Sequence, residues 1–220
     1  MQNFKQFLKE NEELDADNTE GVLEELISKV PLGGNSFNYG LTSRNPVKVR
    51  IFGKLTIYST FLEDGVFPVP LDITSNITVN AKELSSFKNF PNKIAARSFS
   101  TAFQSLQTCP LVTSLEGFAN EVDGDVYFGK FPNLSLEGIG KKYLKIIKGT
   151  LTINSHYKGP LLGLFLINYL DDFYREVSDD NSRELLDALR IIRRNFNGEK
   201  DILDCQEELI TKGFKEYAKL

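Results

Sequence analysis

The sequence has no tryptophan, one methionine, one histidine and two cysteines among 220 residues. With a single histidine, any Ser-His-Asp or Cys-His arrangement would have to run through His156. That residue lies in the stretch Asn154-Ser-His-Tyr-Lys-Gly159 with no partner evident beside it, and reads as an ordinary loop histidine. A closed zinc site takes four Cys or His ligands, and the pool holds three. Cys109 and Cys205 stand far apart and form no CxxC motif, so they read as reduced, semi-buried thiols. Long apolar runs are missing too. The longest, Leu161–Ile167, is broken by Gly163 and is too short to cross a bilayer. The N-terminus carries Lys5 and Lys9 without the apolar core of a secretory signal. Positive charge is in short supply: 26 Lys and Arg against 30 Asp and Glu give a net charge of −4. This argues against nucleic acid as a partner, because phosphate binding needs concentrated positive charge. No cofactor is expected.

What is present is a soluble-protein composition, 41% apolar and 25% charged, with 17 phenylalanines. It also holds a repetition. The tetrad Ser-Leu-Glu-Gly occurs at Ser114–Gly117 and again at Ser135–Gly138. Around it, Val122-Asp-Gly124-Asp-Val126-Tyr-Phe128 matches Ile147-Lys-Gly149-Thr-Leu151-Thr-Ile153. Upstream, Ile51-Phe-Gly53-Lys-Leu55-Thr-Ile57 and Ile73-Thr-Ser75-Asn-Ile77-Thr-Val79 fit the same pattern. An eroded copy is Ile94-Ala-Ala96-Arg-Ser98-Phe-Ser100, with small or polar residues at the inner positions. The glycine-equivalent positions are spaced by 22, 21, 28 and 25 residues. A period of this length marks a repeat architecture.

Alternation at period two marks strands with one buried face. Leu55, Ile57, Ile77, Val79, Val126, Phe128, Leu151 and Ile153 are expected inside. Thr56, Thr78, Tyr127 and Thr152 are expected outside. Stacked strands would bury a continuous column, and the linking segments add Leu115 with Phe118, Leu136 with Ile139, and Phe87 with Phe90. These residues resemble the degenerate leucine-rich-repeat-like proteins of large tailed, T4-like phages, over roughly residues 47–220. The closing stretch Asp201–Leu220 is similar to the tail that often ends those proteins. The resemblance brings no catalytic residues with it.

The expected fold is therefore mainly β with helical caps (α+β): a leucine-rich-repeat-like β-solenoid of about five degenerate rungs. The chain divides into a flexible leader and linker (1–18), an N-terminal cap helix and loop (19–46), the solenoid (47–170) and a C-terminal helical cap (171–220). In the first cap, Thr19–Lys29 is a short amphipathic helix and Pro31-Leu-Gly-Gly-Asn35 a loop. In the last, Ser182–Phe196 is a helix with Leu185, Leu186, Leu189, Ile192 and Phe196 on one side. Ser182 is its N-cap and Asn197-Gly198 its stop. Asp201 caps a second helix carrying Leu209, Ile210, Phe214 and Tyr217.

Several motifs fall short of their templates. Asp15–Gly21 begins like a calcium loop, but Glu20 and Leu26 stand where Gly and Glu are required. Gly33-Gly34 lacks the Gly-Lys-Ser/Thr of a phosphate-binding loop. The pairs Asp171-Asp172 and Asp179-Asp180 read as solvated turns. Two basic clusters, Lys141/Lys142/Lys145/Lys148 and Arg190/Arg193/Arg194, have acids interspersed nearby and read as solvated surface. The outward positions Tyr58, Thr78, Tyr127 and Thr152 remain as partner-binding candidates.

The first ten residues, MQNFKQFLKE, have the form Met-x-x-(Phe/Tyr)-(Lys/Gln)-(Gln/Glu)-Phe-(Leu/Ile)-x-Glu. They resemble the head-targeting leader of T4-like internal head proteins, which implies cleavage after Glu10, with Leu8 in the recognition sequence. The alternative is a short amphipathic helix with Phe4, Phe7 and Leu8 on one side. The functional expectation is a non-enzymatic phage protein that binds a host or phage protein in the host cytoplasm. The alternatives are an internal virion protein packaged in the head and an enzyme of unknown type.

Overall fold

A computed structural model describes residues 37–44, 47–53, 55–59, 62, 64–67, 71–73, 77–94, 104–106, 109–129, 131, 133–154, 156–175, 183–196 and 201–220. The leader with Leu8 and Glu10, the stretch Asp15–Gly21, the helix expected over Thr19–Lys29, Gly33-Gly34, Asp179-Asp180, Ser182 and Asn197-Gly198 lie outside these residues.

The described strands are β1 (Phe37–Arg44), β2 (Val47–Gly53), β3 (Leu55–Tyr58), β4 (Leu71–Ile73), β5 (Ile77–Asn80), β6 (Lys93–Ile94), β7 (Gln104–Leu106), β8 (Glu121–Val122), β9 (Val126–Phe128), β10 (Ile146–Ile153) and β11 (Tyr169–Arg175). They form one sheet in the order β1-β2-β4-β6-β8-β10-β9-β7-β5-β3, with β11 paired to β10 off this path. Every pairing is parallel except β1 with β2. Two arms of short strands thus meet on β10. Its first half pairs Ile147 with Val122, and its second half pairs Leu151 with Val126 and Ile153 with Phe128.

The leucine-rich-repeat-like β-solenoid with helical caps is corrected by this arrangement. The chain has an open, mainly parallel sheet with two helices at its C-terminal end, an α/β-like architecture that is not closed. The physical reason is that a repeat spacing fixes which residues become neighbours and leaves open how the sheet is finished. The neighbours themselves follow the aligned positions: Ile51 lies against Ile73, Ile73 against Ile94, Ile94 against Val122, and Leu55 against Ile77. The second half of the eroded unit does not. Gln104–Leu106, rather than Ser98–Ser100, stands between β5 and β9, with Leu106 in register with Val79 and Phe128. Two further strands lie in segments read as loop or turn. β1 falls within 19–46, and Asp171-Asp172 belong to β11.

The repeated tetrad makes a turn. The Phe118 N–H donates to Leu115 O (2.9 Å) and the Ile139 N–H to Leu136 O (3.0 Å). The serine hydroxyls accept from the residue two ahead, Ser114 Oγ from Glu116 N (3.3 Å) and Ser135 Oγ from Glu137 N (3.1 Å). Gly117 (φ 84°) and Gly138 (φ 81°) take the left-handed conformation that position i+2 of a type II turn requires. Ser86-Phe87-Lys88-Asn89 is the same turn in other letters. Phe90 N donates to Phe87 O (2.9 Å), Lys88 N to Ser86 Oγ (3.1 Å), and Asn89 has φ 66°. Asparagine tolerates that region, and its Nδ2 also donates to Phe67 O (2.7 Å).

These turns bury the residues between sheet and return segments. Leu84, Phe87, Leu115, Leu136 and Ile139 are all at most 1% exposed. A chain of rings runs through the layers. The centroid distances are Phe67–Phe90 5.3 Å, Phe90–Phe118 5.0 Å, Phe118–Phe128 5.6 Å and Phe128–Phe131 6.1 Å. Phenylalanine fits such a column because, unlike tryptophan, it brings no N–H that needs a buried partner.

A 3-10 turn (Leu162–Leu166) leads into β11, followed by α1 (Arg183–Phe196) and α2 (Ile202–Thr211). α1 buries Leu185, Ala188, Leu189, Ile191 and Ile192, while Leu186 and Phe196 are half-buried. Phe196 meets Phe165 and Phe173 at 5.6 and 5.9 Å. Asp201 caps α2 through Leu203 N (2.8 Å) and Asp204 N (2.9 Å). α2 stops sooner than the apolar spacing suggests. Phe214 N bonds Leu209 O and Gly213 N bonds Ile210 O, with Gly213 at φ 90°, a Schellman ending. Cys205 and Leu209 are the buried residues of α2, and Ile210 is 45% exposed. The tail then ties to the sheet region. Leu161 N donates to Tyr217 O, Leu162 N to Lys219 O, and Tyr217 Oη to Tyr157 O (3.2 Å).

Candidate partner-binding face

Along the sheet a row of strand positions is held in register. Thr56 is next to Thr78, Thr78 to Ser105, Ser105 to Tyr127, Tyr127 to Thr152, and Thr152 to Tyr174. Adjacent strands lie about 4.8 Å apart, so the row extends for roughly 24 Å. Val126, Phe128, Leu151, Ile153 and Phe173 point into the core. Thr78, Tyr127 and Thr152 are half-buried, and Tyr174 is 46% exposed.

Three of the four candidates therefore share one row, with Ser105 between Thr78 and Tyr127. Tyr58 does not. It is in register with Asn80, two residues beyond, and Thr56 takes the place in the row. Ser105 and Tyr174 were missed. The first was hidden by the misaligned eroded unit. The second follows an aspartate pair that reads as a turn, although Phe173 and Tyr174 are residue types that favour strands.

A ladder of charges runs along β2, β4, β6, β8 and β10. Arg50 meets Asp72 (2.7 Å), Lys93 meets Glu121 (2.6 Å), and Lys148 meets Asp123 (2.7 Å) and Glu121 (3.4 Å). Hydrogen bonding to Asp123, then its negative charge and Glu121, hold the Lys148 pKa above the usual value. Exposed pairs of this kind are screened by solvent and contribute little to stability. Their consequence is electrostatic: each cation has its carboxylate. The α1 arginines are likewise paired, Arg190 with Asp187, Arg193 with Asp172 and Arg194 with Glu208. Lys141, Lys142 and Lys145 are exposed around a loop.

His156 is exposed in the turn after β10, where its N–H donates to Asn154 Oδ1 (2.8 Å). Cys109 and Cys205 are fully buried and unbridged, deeper than the semi-buried state expected. Burial, against a hydrogen bond with the Ala81 backbone, pushes the Cys109 thiol up to about 11, which suppresses the reactive thiolate. Among the described residues no group of three His, Cys, Asp or Glu side chains is placed to hold a metal ion. No helix among them is long and apolar enough to cross a membrane.

Compared with family models, with curated proteins and with solved structures, the chain matches none.

Proposed function

We propose that the chain is a non-enzymatic protein-interaction module of a large tailed phage, offering the row Thr56–Thr78–Ser105–Tyr127–Thr152–Tyr174 to a host or phage protein in the host cytoplasm. The observation that carries this reading is the in-register row itself. Its positions hold uncharged, hydroxyl-bearing residue types, and they include two tyrosines, a residue type that dominates many interfaces. The charges of the ladder are already paired, so a partner is selected by shape and hydrogen bonding more than by net charge.

The test is a photo-crosslinking amino acid placed singly at Thr78, Thr152 or exposed Lys215 in infected cells. One dominant adduct from Thr78 and Thr152, and none from Lys215, is the expected result. Equal yields from all three positions would overturn the reading. A second reading rests on the sequence Met1–Glu10: an internal virion protein cut after Leu8-Lys9-Glu10. Purified virions would then contain the chain beginning at Asn11. Abundant intact protein in infected cells with none in virions would remove this alternative.

A further inference from the structure

Among the described strands β11 pairs with β10 alone, so its far edge is an end of the described sheet. Strand edges invite pairing with another chain unless something blocks them. Here the centre of the edge is closed by two side chains. Phe173 N donates to Asp172 Oδ1 (2.7 Å), and Phe173 O accepts from Arg193 Nη2. Arg193 also bonds Asp172 Oδ1 (2.9 Å), and its guanidinium carbon lies 4.6 Å from the Tyr174 ring centroid and 5.4 Å from that of Phe173. One α1 side chain thus holds the edge carbonyl, the carboxylate that occupies the edge N–H, and two rings. Arg193 Nε is buried without a hydrogen-bond partner. A buried unpaired donor is destabilising. A leucine or methionine would fill the space without that penalty, so packing alone does not account for an arginine here.

We propose that the outer edge of β11 is a self-pairing edge whose occupant is a second copy of this chain, and that Arg193 keeps it closed. The strand reads Tyr-Leu-Asp-Asp-Phe-Tyr-Arg. Antiparallel pairing about a two-fold axis through Phe173 sets Asp171 of each copy opposite Arg175 of the other. Opposite charges at facing positions favour pairing, and a two-fold axis applies the match twice. The sequence of β11 is thus complementary to itself, while Arg193 and Asp172 occupy the peptide groups that pairing would use.

The test is sedimentation equilibrium on the full chain. Arg193→Met fills the space of the side chain and removes its donors. Asp172→Ala frees the Phe173 N–H while leaving the Arg193 side chain in place. Wild type stays at 24.9 kDa. Each variant moves toward twice that mass at the same concentration. Added to Arg193→Met, either Asp171→Arg or Arg175→Asp restores the monomer, and both together restore the dimer. A dimeric wild type, monomeric variants, or association that the charge exchanges do not control would each overturn the proposal.

Discussion

Gly117 and Gly138 end the two copies of the same tetrad with nearly the same backbone, φ 84° and 81°, but they face different neighbours. A Cβ on Gly117 would lie 2.7 Å from Phe87 O, 2.8 Å from Phe87 C and 3.0 Å from Lys88 N. All three are backbone atoms of the preceding turn, which cannot move without shifting a layer. A Cβ on Gly138 would meet Lys142 Cδ at 3.2 Å, the middle of an exposed, flexible side chain. Both alanine variants carry the left-handed penalty of about 1–2 kcal/mol. Gly117→Ala adds the strain of overpacking, typically about 1–3 kcal/mol, for a total of roughly 2–5 kcal/mol. At about 2–4 °C per kcal/mol for a chain of this size, the melting temperature falls by roughly 4–20 °C for Gly117→Ala. For Gly138→Ala the fall is roughly 2–8 °C. Urea unfolding should give a lower midpoint at unchanged slope for both, with Gly117→Ala clearly the lower. Equal losses, or a larger loss at Gly138, would refute the close approach between layers as the reason for glycine at 117.

Tyr157→Phe should destabilise by about 1–3 kcal/mol, because the buried Leu136 N–H loses its acceptor, Tyr157 Oη (3.0 Å); an unchanged urea midpoint would mean water replaces the hydroxyl. Val126→Lys should lose several kcal/mol, roughly the scale of an unpaired buried charge, since Val126 is 1% exposed. Tyr127→Lys, one residue on, should lose much less, and the reverse order in denaturation midpoints would invert the assignment of faces. Burial raises the pKa of Cys109 to about 11, that of Tyr217 to about 12, and that of Tyr157 further still. These groups stabilise the fold fully below their ordinary values of 9.0 and 10.0, and that contribution is lost as pH rises through the raised ones. Thermal melts should therefore fall steeply above pH 9.0, together with a late phenolate absorbance; a flat profile would contradict their burial.

The repeat was legible because its spacing decides which residues become neighbours, and that information is local in the sequence. Ile51, Ile73, Ile94, Val122 and Ile147 align as letters and lie side by side as residues. How the sheet ends was not legible. The alternation Phe37, Tyr39, Leu41 was present in β1, but the segment 19–46 had been read as a cap helix and loop. In β11 the pair Asp171-Asp172 reads as a turn because one of the partners that hold Asp172, Arg193, is distant in sequence. Partial burial opposes the charge of Asp172, but hydrogen bonds from Tyr174 and Phe173 N, with Arg193, hold its pKa below the ordinary value. Arg193 lies 21 residues away, beyond any window of periodicity. The candidate row shows the same division. Thr78, Tyr127 and Thr152 follow from alternation, whereas Ser105 needed the position of an insertion and Tyr174 needed β11.

The return turns bear on the row as well as on the core. A hydroxyl row is useful for recognition only if its spacing is fixed, and short strands such as β7 and β9 hold little spacing by themselves. The turns supply what the strands lack. Ser135 N bonds Thr113 O (3.0 Å), Leu144 N bonds Ala119 O (3.0 Å), and Asn168 N bonds Lys145 O (2.7 Å), each joining one layer to the next outside the strands. Asparagines add side-chain rungs of the same kind, Asn133 to Pro110 O (2.9 Å) and Asn154 to Gly129 O (2.8 Å). A tetrad said twice is thus one turn made twice. Because each turn is a backbone hydrogen bond with a left-handed residue beside it, the sequence can change Leu to Phe or Gly to Asn without changing the turn. The aligned positions of the row are less uniform: Thr, Thr, Ser, Tyr, Thr, Tyr.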